Sequence, residues 1–190
     1  RQLWSITSDS VRVLAWSPDE DQMLWTRHQA HEQVLLVDVV DRAAQAEWTL
    51  SGSVTGLSWS PTGKQWASVL NVPDPVSGLA SSKLEVRSIA GELIERFAVP
   101  ESCNGSRCRP QFSPDGRLLA WATFEAESRR GRIFIWSLET RELVSELTGH
   151  DEIVQSLAWN RTGTRIASGN FLGTKIWDVP SGLTLIDLEK

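Results

Sequence analysis

The segment ELTGHDEIVQSLAWN, Glu146–Asn160, decides how the rest of the chain is read. Gly149-His150 is a turn, and Val154, Ser156 and Ala158 alternate on one face of the strand that follows. Trp177-Asp178 closes the stretch GTKIWD, 27 residues after the histidine. The spacing matters only if it recurs, so self-similarity is the first test.

It recurs. VRVLAWSPDEDQMLW, VTGLSWSPTGKQWAS, CRPQFSPDGRLLAWA and VQSLAWNRTGTRIAS align on Trp16, Trp59, Phe112 and Trp159, at spacings of 43, 53 and 47 residues. Each aromatic precedes a turn: Ser-Pro-Asp, Ser-Pro-Thr-Gly, Ser-Pro-Asp-Gly or Asn-Arg-Thr-Gly. Proline presets φ at the second turn position, and glycine supplies the positive φ that closes such turns. A second apolar strand follows each turn, then a variable loop. Third strands (VLLVDV, KLEVRSI, RIFIWSL, TKIWDV) and fourth strands (AEWTL, LIERFAV, LVSEL, LTLIDL) complete each unit. Period-two alternation with β-branched and aromatic enrichment marks all of them as strands, and no segment has a helical period. The expectation is an all-β chain.

Four strands per unit of about 40–45 residues describe a β-propeller blade. On these residues the chain resembles the WD-repeat β-propellers, and more weakly the periplasmic TolB-like propellers. Gly149-His150 with Trp177-Asp178 matches the family's Gly-His and Trp-Asp markers, and Trp136-Ser137 is a near match. The resemblance spans essentially the whole chain, though only the fourth repeat carries both markers. It implies four-stranded antiparallel blades: blade 1 over 7–50, blade 2 over 51–97, blade 3 over 98–147 and blade 4 over 148–190. Residues 1–6 read as the outer strand of a preceding blade. Four blades suggest part of a larger ring, or half of a ring closed by a second copy. The opening RQLWSITSDS, with no Met and no apolar segment, suggests a piece of something longer.

The resemblance also implies a hydrogen-bonded relay of His, a second-strand Ser, an Asp in the next turn and Trp. His150, Ser168 and Trp177 fill three of these positions. The Asp is missing, with Leu172 near its place. Repeat two keeps Ser68 without His or Trp, and repeats one and three carry Trp25 and Trp121 instead of Ser. Apolar packing between blades is then the main cohesion. The ten Trp, against no Tyr, read as inter-blade core, each buried ring contributing about 3 kcal/mol.

Catalytic and metal chemistry find little footing. There is no Gly-x-Ser-x-Gly elbow, no phosphate-cradling glycine loop and no His-Glu-x-x-His. His28 and His31 form an H-x-x-H pair without a third ligand. Cys103 and Cys108 read as free thiols or, in an oxidising compartment, as a short disulfide loop. The sequons at Asn104 and Asn160 are short enough to arise by chance. No enzyme, cofactor or metal is expected, and a net charge of −5 argues against a nucleic-acid or membrane-surface partner. A cytoplasmic location is the expectation, or a secreted or periplasmic one if the cysteines are bonded.

What the pattern favours is a protein-interaction scaffold. In blade 3 the loop before the first strand and the loop between second and third strands open on the same face. They carry Arg107, Arg109, Arg129, Arg130 and Arg132, within SRCRP and ESRRGR. Arg suits carboxylate or phosphate recognition through its fixed fork, so an acidic or phosphorylated peptide is the expected partner. Glu101, Glu125 and Glu127 stand close enough to neutralise that rim. The alternative is a propeller segment of a larger enzyme whose catalytic domain lies elsewhere.

Overall fold

The computed structural model describes residues 11–28, 32–73, 80–99, 109–125, 127–128 and 130–189. The expected first strand over 1–6, His31, Arg107, Arg129 and both cysteines lie outside them. The described residues are all β, in four antiparallel sheets of four strands each, with strands ordered as in the sequence.

Blade 1 comprises β1 (Val11–Trp16), β2 (Gln22–His28), β3 (Glu32–Asp38) and β4 (Ala43–Leu50). Blade 2 is β5 (Ser53–Trp59), β6 (Gln65–Pro73), β7 (Ala80–Ser88) and β8 (Leu93–Ala98). Blade 3 is β9 (Gln111–Phe112), β10 (Leu118–Glu125), β11 (Arg130–Ser137) and β12 (Glu142–His150). Blade 4 is β13 (Ser156–Trp159), β14 (Arg165–Gly169), β15 (Thr174–Asp178) and β16 (Thr184–Asp187).

The first hairpins of blades 1, 3 and 4 are built by the same local chemistry. Ser113 Oγ accepts the Leu118 amide at 2.9 Å and donates to Asp115 Oδ1 at 2.6 Å. Ser17 does the same with Gln22 and Asp19. In blade 4 the Asn160 amide takes the part: Oδ1 accepts the Arg165 amide at 2.9 Å, and Nδ2 donates to Thr162 Oγ1 at 2.9 Å. The sequon asparagine at 160 is therefore a turn residue with both ends of its amide engaged. The position that closes each turn has positive φ: Gly63, Gly116 and Gly163 at 70° to 74°, and Glu20 at 63°.

The blades stack in sequence, and register shows how. Each has one face of small or medium residues along the row Ala15-Leu24-Leu36-Ala46, Ser58-Ala67-Val86-Glu95, Gln111-Ala120-Ile135-Ser145 or Ala158-Ala167-Ile176-Ile186. The opposite face carries most of the large rings, while Trp48 and Phe97 stand on the small-residue face of the fourth strands. Leu24, Val34 and Leu36 of blade 1 receive Trp59 and Trp66 of blade 2. Ala67, Val69, Leu84 and Val86 receive Phe112, Trp121 and Phe134 of blade 3. Ala120, Ala122, Ile133 and Ile135 receive Ile166 and Trp177 of blade 4. Small against large at each step lets neighbouring sheets pack closely.

The sheets do not close into a ring, and the small face of blade 4 is open: Ile186 is 46% exposed and Ala158 is exposed. Trp16 departs from the expectation that the tryptophans are inter-blade core. It is 53% exposed, because it lies on the ring-bearing face of blade 1, ahead of which no described blade packs. Trp25, Leu35 and Val37 on that face are nonetheless buried, in a cluster of their own with Met23.

Candidate functional site

Antiparallel order places the loops entering first strands and the loops joining second to third strands on one edge of the stack. Blade 4 shows what this edge is built from. Trp177 Nε1 donates to Ser168 Oγ at 2.7 Å, and Ser168 Oγ lies 2.5 Å from His150 Nε2. His150, Ser168 and Trp177 are each 1% exposed. The other imidazole nitrogen, Nδ1, bonds the Glu189 carboxylate. The indole N–H donates to the hydroxyl, and with a ring proton on Nδ1 the bonds continue from hydroxyl to Nε2 and from Nδ1–H to the carboxylate.

Glu189 thus stands where the family pattern puts an Asp, although it follows the fourth strand. The ladder explains how it arrives: the Leu188 amide donates to the Thr174 carbonyl at 2.9 Å, continuing β16 along β15. Glu189 Oε1 also accepts Asn170 Nδ2 at 2.6 Å, and Oε2 meets Lys175 Nζ at 3.1 Å. Lys175, 5% exposed, is shared with Asp187. Burial raises the Glu189 carboxyl, but hydrogen bonds from His150 and Lys175 outweigh it and hold the group below the ordinary value of 4.5. Burial likewise lowers Lys175, and its bonds to Asp187 and Glu189 hold it above the usual lysine range. The sequence motif misses Glu189 because it looks for the acid in the turn, where Leu172 is instead half-exposed. The signal available is the pair Asp187 and Glu189, two residues apart and so on one face, beside a strand carrying Lys175.

Of the five arginines singled out, Arg109, Arg130 and Arg132 are described. Arg132 reaches Glu125 at 2.9 Å and Glu146 at 3.4 Å, so much of its charge is met within blade 3. Glu125 is held below the ordinary carboxylate range, first by the Ser128 hydroxyl and then by Arg132 and Arg130. Arg130 opens β11 and is exposed. Arg109 stands just ahead of β9. With Gln111 it lines a crevice of about 160 Å³ between blades 3 and 4, beside Val154, Gln155 and Ser156. The same two residues border a larger one of about 480 Å³ along the first strands of blades 1 and 2. Gln155 Nε2 is buried without a hydrogen-bond partner among the described residues. A guanidinium, an unpartnered amide N–H and the Ser156 hydroxyl around one crevice are equipped to accept an anionic group.

Among the described residues no cluster of three His, Cys, Asp or Glu could hold a metal ion. Among the described residues no helix is long and apolar enough to cross a membrane.

Comparison with known proteins adds the family. Residues 141–178, which contain His150, Ser168 and Trp177, match the model of the WD domain, G-beta repeat. The chain is 29% identical over 99 residues to the Dictyostelium discoideum Retinoblastoma-binding-like protein E, covering 52% of this chain and 18% of that protein. It is 39% identical over 85 residues to the Schizosaccharomyces pombe Periodic tryptophan protein 2 homolog, covering 42% and 10% respectively. The chain therefore matches less than a fifth of the length of these relatives.

Proposed function

This chain belongs to the WD-repeat family, and from that premise we propose that it is a protein-interaction scaffold that docks an acidic or phosphorylated peptide on its loop-bearing face, around Arg109. WD-repeat proteins in general mediate protein–protein interaction and scaffolding. The observation that carries the finer reading is Arg109 at the junction of two crevices, one of them walled by the unpartnered Gln155 amide. Arg109 and Gln155 stand just ahead of β9 and β13, whose strands anchor the segments that carry them and limit the ordering entropy that opposes capture of a ligand. Arg130, exposed on the same edge, extends the positive field toward the second-to-third-strand loop of blade 3. The residues take no catalytic part in this reading.

The test uses two fluorescein-labelled peptides of one sequence, with and without a phosphoserine flanked by glutamates. Arg109→Glu should weaken binding of the phosphorylated form by about tenfold or more, equivalent to about 1.4 kcal/mol, with an unchanged thermal melt. Equal binding by parent and variant removes the proposal.

A further inference from the structure

Register puts four equivalent positions at the outer end of each inter-blade contact. In blade 2 they are Ser68, Glu85, Arg87 and Leu93, and in blade 4 Ser168, Lys175, Trp177 and Thr184. In blade 3 they are Trp121, Phe134, Trp136 and Leu143. The contact between blades 1 and 2 is sealed there by charge: Glu85, 1% exposed, is held by Arg87 at 2.8 Å and Arg96 at 2.6 Å. The contact between blades 3 and 4 is sealed by Lys175 with Asp187 and Glu189. Between blades 2 and 3 no such cluster stands at these positions. Instead there is a cavity of about 340 Å³ lined by Glu95, Phe97, Trp121, Phe134, Trp136 and Leu143.

The walls are aromatic. The Phe97 ring meets Trp136 edge-on at 4.9 Å and Trp121 at 5.9 Å, and Trp121 stacks on Phe134 at 5.8 Å. Both Trp121 Nε1 and Trp136 Nε1 are buried without a partner among the described residues. Leu143 at the rim is exposed. A second hollow of about 390 Å³ shares Phe97 and continues past Ser81, Lys83, Arg96 and Val99. This run follows β8, the outermost strand of blade 2, which among the described residues pairs only with β7 and so leaves its outer hydrogen-bonding edge open to an added strand. Charge at the groove is unbalanced. Among the described residues Glu85 is consumed internally and Glu95 is met by Arg141 at 3.2 Å, leaving Lys83 and the outer parts of Arg96 and Arg141. In a chain of net −5 this is a local reversal.

We propose that this lateral groove between blades 2 and 3 is a docking site for an extended peptide that seats one large apolar side chain among Phe97, Trp121, Phe134 and Trp136, with carboxylates beside it facing Lys83, Arg96 and Arg141. An anchor in an aromatic pocket, ringed by polar contacts, is how peptide interfaces concentrate their affinity. The site is built from other residues than the loop-bearing face, so either can fail alone.

The test is fluorescence polarisation with a short labelled peptide carrying one phenylalanine between glutamates. One control replaces the phenylalanine by serine, and another replaces the glutamates by lysine. The intact chain should bind the probe in preference to both controls. Leu143→Glu, an exposed change, should weaken binding by about tenfold or more, and Arg141→Glu should weaken it as well. Arg109→Glu should leave it within about twofold. Binding no better than the serine control, or unmoved by Leu143→Glu, overturns the groove. Loss on Arg109→Glu with no effect of Leu143→Glu also overturns it and assigns the peptide to the loop-bearing face.

Discussion

Ser168 and Ser68 occupy the same position in two blades, and both are buried. Ser168 accepts from Trp177 and contacts His150, whereas the Ser68 hydroxyl has no partner among the described residues. An unmade buried hydrogen bond costs more than a made one contributes, so the same substitution should act in opposite ways. Ser168→Ala strips a partner from two buried groups at once and should cost about 2–3 kcal/mol. Ser68→Ala removes an unsatisfied hydroxyl and should be neutral or stabilising by up to about 1 kcal/mol. Urea denaturation of the two variants measures both. Equal losses would mean that the relay around His150 contributes nothing of its own.

At the scale of the element, the hairpins and bulges repeat more faithfully than the sequence. Each third-to-fourth-strand pairing shifts register at an equivalent place, between Leu36 and Val37, Val86 and Arg87, Ile135 and Trp136, and Ile176 and Trp177, and blade 3 shifts again between Gly131 and Arg132. One extra residue there bends every outer strand alike. The first hairpins need a left-handed residue, and three blades use glycine. Glu20 takes that conformation at a cost of about 1 kcal/mol, so Glu20→Gly should stabilise blade 1 by up to about that amount and raise the melting temperature. Gly116→Ala should do the reverse, since a Cβ there would also stand 2.9 Å from Thr62 Cγ2. Calorimetry checks the pair, and a lower melting temperature for Glu20→Gly would show that its side chain matters more than its backbone.

Across the whole molecule, what was legible in the sequence is what is local. Ser-Pro-x-Gly turns and alternating strands form within a few residues, so fold class and strand order follow from short windows. Glu189 was not legible, because its role depends on β16 bringing the chain end back beside His150. Nor was the exposure of Trp16, which depends on which blade stands in front of it. The arginine rim shows the same limit: Arg132 reads as a surface cation until β12 places Glu146 within reach. The groove between blades 2 and 3 arises from Trp121 and Trp136, whose neighbours only the stacked sheets define.

The four blades form an open stack whose last small-residue face, Ala158, Ala167, Ile176 and Ile186, has among the described residues no ring-bearing partner of the kind that covers its equivalents. An uncovered apolar sheet face is an association surface. The decisive measurement is the mass of the 190-residue chain in dilute solution, by light scattering after size exclusion. Species heavier than the 21.2 kDa monomer are expected, dispersed by Ile176→Lys. A monodisperse monomer with a single cooperative melt would contradict the open stack, and would mean that four blades close on themselves.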